Sequence, residues 1–236
     1  MVVAAWKKIC LYLLGIFMVI SMYLDFIWSP PEALMGDTVR IMYFHVASAT
    51  DAFMAFGITA LASIVFLLTK RPFLDRLAAS SAEIGLVFTT FVLISGSIWG
   101  EAVWNTWWTW DPTLTSTLIL WFLYVGYLLL RASIANRDRA ARVSAVFGII
   151  AAIDMPIIHE SVTWWRGIHP NVITLQGFNM PPSMVLTLLF SIVVFVGLYV
   201  FFIVIVTLLE KDKSDIEDLR EQVRKKIQRI QNERDT

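Results

Sequence analysis

Six long apolar segments constrain the fold of this 236-residue chain more than any other feature of its sequence. A helix that crosses the roughly 30 Å hydrocarbon core of a bilayer needs about 20 apolar residues, because each residue advances it by about 1.5 Å. Helices also satisfy their own backbone hydrogen bonds in lipid. We therefore predict an all-α, polytopic membrane protein with six transmembrane helices, over residues 9–27, 46–69, 84–98, 113–130, 143–158 and 183–209.

The basic residues outside these segments predict how the chain crosses the membrane. Lysine and arginine concentrate in the cytoplasmic connections of membrane proteins. Of the 19 basic residues, all but Arg40 and Arg166 lie at the N-terminus, in the second and fourth connections, or in the tail. Both termini are therefore expected in the cytoplasm. The first segment follows Lys7 and Lys8 like a signal peptide, but no small-residue cleavage site ends it, so we expect an uncleaved anchor.

The charged tail differs from the rest of the chain. We expect residues 1–209 to form one transmembrane domain and residues 210–236 to form a cytoplasmic tail. Apolar residues recur in the tail at helical spacing, which predicts a short amphipathic helix or a loosely ordered, solvated end. The helix would lie against a partner or the bilayer surface. The apolar residues of this pattern are Ile216, Leu219, Val223, Ile227 and Ile230.

Composition and motifs exclude several classes of function. Lysine plus arginine and aspartate plus glutamate number 19 each, so the chain lacks the basic excess of a nucleic-acid-binding protein. Its single cysteine, Cys10, excludes an internal disulfide framework and a cysteine-cage metal site. The sequence contains no P-loop, so any ATP hydrolysis must come from a partner. We expect membrane lipids as neighbours and no enzymatic activity.

The histidines and most of the tryptophans lie in the connections predicted to face outward. An aromatic belt would place tryptophan at both interfaces, so this asymmetry favours a binding surface. The densest stretch occupies residues 99–111 in the third connection, where five indoles form a broad apolar surface for a large planar ligand. Two more tryptophans follow the fifth segment. The candidate binding tryptophans are Trp99, Trp104, Trp107, Trp108, Trp110, Trp164 and Trp165.

Two histidines that flank an indole surface indicate haem, because neutral imidazole is a common axial ligand of haem iron. The sequence offers His45 before the second segment, and His159 or His169 after the fifth. Tetrahedral zinc fits less well, because no cysteine lies there. Arg40 and Arg166 would pair with the haem propionates or, alternatively, extend to the membrane interface.

The sequence is consistent with two roles for Asp111. It precedes Pro112, and an aspartate followed by a proline is a common start of a helix. Asp111 is therefore expected to cap the fourth segment, and it is also a candidate for the binding site.

The stretch from Ser97 to Tyr127 resembles the tryptophan-rich WWD signature of haem-handling proteins in cytochrome c biogenesis. It reads Trp-Gly, then Trp-Asn-Thr-Trp-Trp-Thr-Trp-Asp, then Leu-Thr-Ser and Leu-Tyr-Val-Gly-Tyr. Arg40–Val46 resembles the first histidine motif of the haem exporter protein C family, in which six spans and a short chain are typical. Ser161–Trp165, followed by His169, resembles its second motif. The resemblance covers the chain up to about Leu209.

The resemblance implies that His45 and His169 are the axial ligands of haem b at the outer face of the cytoplasmic (inner) membrane. The spacing from Trp165 favours His169 over His159. The family passes haem to the E protein, a periplasmic haem chaperone, beside the A and B subunits of an ATP-driven complex and a small D protein. Thr113 stands where the family often has a basic residue, which places more weight on Arg40, and on Arg166 in the altered second motif.

Three other functions remain open at this stage. A haem-handling subunit of the other cytochrome c synthesis system usually has more spans and more histidines. A haem-containing membrane enzyme needs histidines buried within its helices. A non-haem transporter would use acidic residues of the spans as a relay, but these lie near the span ends. The acidic residues concerned are Asp25, Asp51, Glu83 and Asp154.

Overall fold

The computed structural model describes residues 2–165, 173–174, 177–178 and 180–235, with side chains over 5–165 and 180–232. It consists almost entirely of helices, with one antiparallel pair of two-residue strands in which Ile173 faces Phe178. A π-helical turn, Leu24–Trp28, extends the first helix, and a 3-10 turn, Asp37–Val39, precedes the second. The helices are α1 (Val2–Tyr23), α2 (Arg40–Thr69), α3 (Pro72–Trp104), α4 (Pro112–Ser133), α5 (Arg137–Ala151), α6 (Asp154–Trp164) and α7 (Pro182–Asp235); the strands are β1 (Ile173–Thr174) and β2 (Gly177–Phe178).

Six helical segments of the described chain are long and apolar enough to cross a membrane, which confirms the predicted all-α, polytopic fold. The third span extends beyond its short apolar run at residues 84–98, because α3 begins at Pro72 with a stretch of small residues that pack against α2. The fifth span consists of two helices, α5 and α6, with a break at Ala152 and Ile153. Pro156 explains the break, because proline has no N–H to donate to the carbonyl four residues earlier.

Local signals in the sequence set several helix boundaries. Lys70 ends α2 in the left-handed region at φ 57°, and Pro72 then begins α3 at a position where its missing N–H costs nothing. The Asn136 side chain accepts a hydrogen bond from the Arg139 N–H and caps α5. These short connections force α2, α3, α4 and α5 to run alternately up and down. The bundle therefore has a tryptophan-rich end, with His45 and the WWD loop (residues 105–111), and an opposite basic end.

Small residues allow α2 and α3 to pack closely along the centre of the bundle. Ala52, Ala55 and Ala82 are buried there, as is typical of helix interfaces in membranes. Gly85 is required at this interface, because a Cβ atom built on it would lie 2.6 Å from Cε1 of Phe56. Phe56 in turn stacks on Tyr124 of α4, with 3.7 Å between ring centroids. This stack joins α2 to α4, and α3 packs against the same ring at Gly85.

Ion pairs connect the helices at the basic end. Arg131 of α4 donates two hydrogen bonds of 2.7 Å to the two carboxylate oxygens of Asp75 in α3, and both side chains are largely buried. Arg137 at the start of α5 pairs with Glu217 and Asp218 of α7. The helix α7 continues without a break from the sixth span through the charged tail, and the predicted apolar stripe of the tail is exposed.

Candidate functional site

The connection between α1 and α2 places His45 in the second turn of α2. Gly36 turns the chain at φ 56°, a conformation that favours glycine, and the backbones of Glu32 and Gly36 bond to each other. The Leu34 and Met35 amides donate hydrogen bonds to the Glu32 carboxylate and hold the pKa of that group below its usual value. This compact turn directs the chain into α2.

The His45 side chain is buried, with 5% of its surface exposed, and it faces α3. Its Nδ1 atom lies 2.9 Å from the hydroxyl oxygen of Ser95. The centroids of its ring and of the Trp99 indole are 5.7 Å apart, and the angle between the two ring planes is 59°. Gly96 leaves room for the ring, because a Cβ atom there would lie 3.1 Å from Cε1 of His45. Residues 95–99, little more than one turn of α3, therefore position this histidine.

The five tryptophans between residues 99 and 110 lie side by side as a wall of indoles and differ widely in how much of each side chain is exposed. Trp99 is 2% exposed and packs in the core beside His45, whereas Trp107 and Trp110 are 61% and 77% exposed. Trp104 and Trp108 are half-buried between these extremes. The rings are tilted towards one another, with 40° between Trp99 and Trp104 and 83° between Trp108 and Trp110. The structure thus brings together indole faces and edges around His45.

The WWD loop folds back over the end of α3. Asn105 ends this helix in the left-handed region at φ 53°, and its N–H donates to the Glu101 carbonyl. The carbonyl oxygen of Thr106 approaches Gly100 so closely that a Cβ atom there would lie 3.1 Å from it. Gly100 therefore allows the loop to lie directly on the helix, beside Trp104.

Asp111 caps α4, as the sequence predicts. Its carboxylate accepts a hydrogen bond of 2.9 Å from the Thr113 N–H, and the residue is 8% exposed. The Thr113 hydroxyl lies 2.6 Å from that of Ser161 in α6. At the position where the resemblance suggests a basic residue, this chain therefore has a hydroxyl pair that connects two helices.

The remaining predicted residues are placed in different ways. Arg40 pairs with Asp37 at 2.8 Å and donates to the Phe26 carbonyl oxygen, so its guanidinium holds the first connection together. Trp164 and Trp165 are exposed at the end of α6, with 5.6 Å between their ring centroids. His169 and Arg166 lie outside the described residues. The structure therefore places His45, the seven tryptophans, Arg40 and Asp111 at one end of the bundle.

A small cavity of about 50 Å³ lies between His45 and the WWD loop. Beside it, an open apolar groove of about 610 Å³ runs along the surface of the bundle between α3 and α4. Trp107 and Trp108 line both spaces, as do Leu93 and Ser97. Sites for small molecules usually enclose about 300–1,000 Å³, so the cavity beside His45 is too small, as it stands, for a large planar ligand.

Sequence reasoning missed Ser95 and Gly96, which hold the His45 ring. The only signal was the run of small residues Ser95-Gly96-Ser97 in an apolar helix. Such a run shows that something packs closely against the helix, but it does not identify the neighbour.

Comparison with known proteins identifies the family of this chain. The family model described as heme exporter protein C matches residues 1–225. This chain belongs to the heme exporter protein C family. Heme exporter protein C of Bradyrhizobium diazoefficiens is 37% identical over 174 residues, which cover 73% of this chain and 66% of that protein. Heme exporter protein C of Escherichia coli K12 is 35% identical over 175 residues, which cover 72% and 71%.

A further relative is a ccmC-like mitochondrial protein of cytochrome c biosynthesis from Marchantia polymorpha. It is 36% identical over 167 residues, 70% of this chain and 71% of that protein. With its six apolar helices, this member of the heme exporter protein C family is a multi-pass membrane protein. The family match includes His45, the WWD loop and most of the charged tail.

Within the described residues, the four acidic side chains of the spans form no continuous chain of hydrogen bonds in this heme exporter protein C family member. Asp25 is buried and accepts a 2.7 Å hydrogen bond from the Ser191 hydroxyl of α7. Asp51 is fully buried in α2, and its two carboxylate oxygens have no hydrogen-bond partner among the described residues. These two residues are more deeply buried than their sequence positions suggest. No hydrogen bond links them or continues to Glu83 or Asp154 within the described chain.

Proposed function

We propose that this chain binds haem b at the outer face of the cytoplasmic membrane and passes it to a periplasmic haem chaperone for cytochrome c maturation. The observation that carries the proposal is the position of His45. It is a buried imidazole held by Ser95, Gly96 and Trp99 beside a wall of indoles. Imidazole supplies an iron ligand, and indole faces and edges bury an apolar planar ring.

A connection between the cavity and the groove would create a site for the ring. Trp107 and Trp108 line both spaces, and both belong to a loop that starts at Asn105 in the left-handed region. Rotation of these two indoles would join the space next to His45 to the apolar groove. The ring would then contact indoles on one side and α3 on the other, with its iron towards His45.

The second axial ligand in this proposal is His169, by resemblance to the second histidine motif of the family. The haem propionates would pair with Arg40 and Arg166, because guanidinium and carboxylate groups form strong paired hydrogen bonds. For Arg40 this requires exchange of its present partner, Asp37, which is 76% exposed.

Delivery to the haem chaperone, the E protein, would take place at the exposed indoles. Trp107, Trp110, Trp164 and Trp165 are all more than half exposed at the tryptophan-rich end. Exposed clusters of large apolar side chains mark sites of interaction with proteins or membranes. The A and B subunits of an ATP-driven complex and the small D protein complete the proposed assembly, because this chain has no P-loop of its own. In this role the chain transports haem and catalyses no reaction.

A haem titration of the detergent-purified protein tests the binding step. We expect one haem per chain and an absorption spectrum of six-coordinate, low-spin haem, since two imidazoles would ligate the iron. A spectrum identical to that of haem in detergent alone would contradict the proposal and favour a non-haem transporter.

Site-specific photo-crosslinking tests the delivery step. A photoreactive residue in place of Trp110 should crosslink to the haem chaperone in membranes that contain haem. A matched probe in place of Phe73, which is exposed at the basic end, should not. Equal crosslinking from both positions, or from neither, would contradict delivery at the tryptophan-rich end.

Thiol labelling tests the proposed orientation and the division into domains. Cys10 is the single cysteine, so a Cys10→Ser background allows one new cysteine at Thr106 or at Gln231. In intact cells, a membrane-impermeant thiol reagent should label the cysteine at Thr106 only. Labelling at Gln231 would place the tail, residues 210–236, on the outer side and refute the proposed orientation.

A further inference from the structure

We propose that Ser95 is a positioning residue that holds the His45 imidazole in the tautomer with Nδ1 protonated and Nε2 ready to bind iron. This inference rests on the proposed function, because it concerns the atom with which His45 would ligate haem. It assigns a role to a side chain of α3 whose hydrogen-bond partners among the described residues are His45, Phe91 and Val92.

The hydrogen-bond partners of Ser95 determine the tautomer. A serine hydroxyl has one hydrogen to donate, and a carbonyl oxygen can only accept. The Ser95 oxygen lies 2.7 Å from the Phe91 carbonyl oxygen one turn earlier in α3, so its hydrogen is donated there. The same Ser95 oxygen lies 2.9 Å from Nδ1 of His45. This contact is a hydrogen bond only if Nδ1 carries the hydrogen and the serine oxygen accepts it.

The opposite assignment leaves a repulsive contact. If Ser95 donated its hydrogen to Nδ1, its oxygen would face the Phe91 carbonyl oxygen at 2.7 Å with no hydrogen between them. His45 and Ser95 are 5% and 7% exposed, so bulk water does not compensate for this arrangement. A buried polar group without a hydrogen-bond partner destabilises the folded state. The protonated Nδ1 is therefore the favoured state of the neutral ring, and Nε2 keeps its lone pair.

The surroundings of the ring fix its direction as well as its tautomer. Gly96 lies against Cε1 of His45, and the Trp99 indole lies 5.7 Å from the imidazole. Histidine side chains that bind a metal usually donate their second ring N–H to a hydrogen-bond acceptor, here the Ser95 hydroxyl. This bond orients the ring and makes the ligating nitrogen more basic. Loss of the acceptor typically weakens metal binding by about 10–100-fold. We expect a loss of that size for haem when the Ser95 hydroxyl is removed.

Three variants in the full-length, detergent-purified chain test this role. Ser95→Ala removes the acceptor, Ser95→Thr keeps a hydroxyl, and Thr89→Val removes a hydroxyl that donates to the Gly85 carbonyl oxygen in the same helix. We expect Ser95→Ala to weaken haem binding by about 10–100-fold and to shift the haem reduction potential to more positive values, because the ligand becomes less basic. Ser95→Thr should restore both quantities, and Thr89→Val should leave them unchanged.

The comparison with His45→Ala separates this inference from the proposed function. If His45→Ala leaves the haem spectrum unchanged, His45 is not a ligand and the proposed ligation fails. If His45→Ala removes the low-spin spectrum but Ser95→Ala retains both wild-type affinity and wild-type potential, the proposed function stands and the role of Ser95 is refuted. Thermal unfolding of each variant, followed by circular dichroism, identifies a loss of haem that results from a misfolded bundle.

A different observation at the basic end carries a second inference. A cavity of about 810 Å³ lies between the C-terminal ends of α2 and α4, the N-terminal ends of α3 and α5, and the part of α7 that follows the sixth span. We infer that it binds a phosphate-bearing anion, the head group of an anionic phospholipid or free phosphate. This inference does not depend on haem or on the orientation of the chain.

The charges that line this cavity do not balance. Three of the lining basic residues are paired with carboxylates: Arg131 with Asp75, Arg137 with Glu217, and Lys213 with Glu210. The remaining charged residues of the lining are three cations, Lys70, Arg76 and Arg142, and one carboxylate, Asp138. None of these four forms an ion pair within the described chain. The Nε atom of Arg76 is buried and also lacks a hydrogen-bond partner among the described residues.

This surplus of positive charge suits a phosphate group. Arginine matches the geometry of phosphate oxygens with its planar set of donors. The N-termini of α3 and α5 begin at Pro72 and Arg137, both of which line the cavity, and helix N-termini attract anions. Basic pockets between transmembrane helices commonly hold the head groups of anionic lipids.

Native mass spectrometry and a thermal-shift assay test this site in the full-length protein. We expect short-chain phosphatidylglycerol to bind and stabilise the protein, and phosphatidylcholine to have no effect. The double variant Arg76→Gln/Arg142→Gln should lose this binding, whereas Arg139→Gln, which does not line the cavity, should keep it. Competition by millimolar inorganic phosphate would identify free phosphate as the ligand. Equal binding of phosphatidylglycerol to the double variant and to Arg139→Gln would overturn the inference.

Discussion

Gly96→Ala should weaken haem binding without unfolding the bundle, because the added methyl group meets the His45 ring. The new Cβ atom would lie 3.1 Å from Cε1 of His45. Carbon atoms in contact are about 3.5–4.0 Å apart, so the ring must retreat from α3 by about 0.4 Å or more. Ser95 belongs to the same helix, and its 2.9 Å hydrogen bond to Nδ1 would lengthen towards the limit of about 3.2 Å.

The expected size of this effect follows from the loss of a well-placed partner of a metal ligand. Such losses weaken metal binding by about 10–100-fold, which corresponds to about 1.4–2.8 kcal/mol. Titration of the purified variant with haem, followed by the Soret absorbance, measures the change. Gly57→Ala is the matched control, because it adds the same methyl group to α2 at a site with no heavy atom within 4 Å.

Two results would refute this reasoning. If Gly96→Ala bound haem as tightly as Gly57→Ala, the position of the His45 ring would not matter for binding. If Gly96→Ala lost its thermal unfolding transition, the methyl group would act on the fold as a whole and not on the site alone.

Three further substitutions test the fold and the two readings of Asp111. Gly85→Ala should destabilise the protein by about 1–3 kcal/mol, measured as a lower thermal midpoint, because its Cβ atom would lie 2.6 Å from the buried ring of Phe56. Asp75→Asn should cost about 1–3 kcal/mol in the same assay, since it leaves the largely buried Arg131 without its counter-charge. Asp111→Asn should keep both the midpoint and haem binding if the residue only caps α4, and a loss of haem binding alone would show that its charge serves the site.

Much of the architecture could be predicted from the sequence, because membrane spans obey a simple length and polarity rule. The apolar runs are local signals, and so is the Asp111-Pro112 pair. The residue at which α3 begins was not predicted, because small residues such as Ala78 and Ser81 lower the hydropathy of its first half. Their role becomes visible only when α2 packs on them.

The candidate site was predictable in its residue types and less so in its arrangement. The spacing of the motifs singled out His45 and the tryptophans, since indole and imidazole are uncommon in such density. It did not show that Trp99 lies in the core while Trp110 is exposed. The contact between His45 and Ser95 joins residues 50 positions apart. No local pattern encodes such a pair, which depends on the register between α2 and α3.

The absorption spectrum of haem-loaded His45→Ala tests the central claim most directly. His159→Ala is the matched control, because His159 lies at the same end of the bundle on α6 and is exposed. We predict that His45→Ala loses the low-spin, six-coordinate spectrum and that added imidazole restores it, while His159→Ala keeps the spectrum of the unmodified protein. An unchanged low-spin spectrum in His45→Ala would contradict the claim that this buried histidine holds the iron.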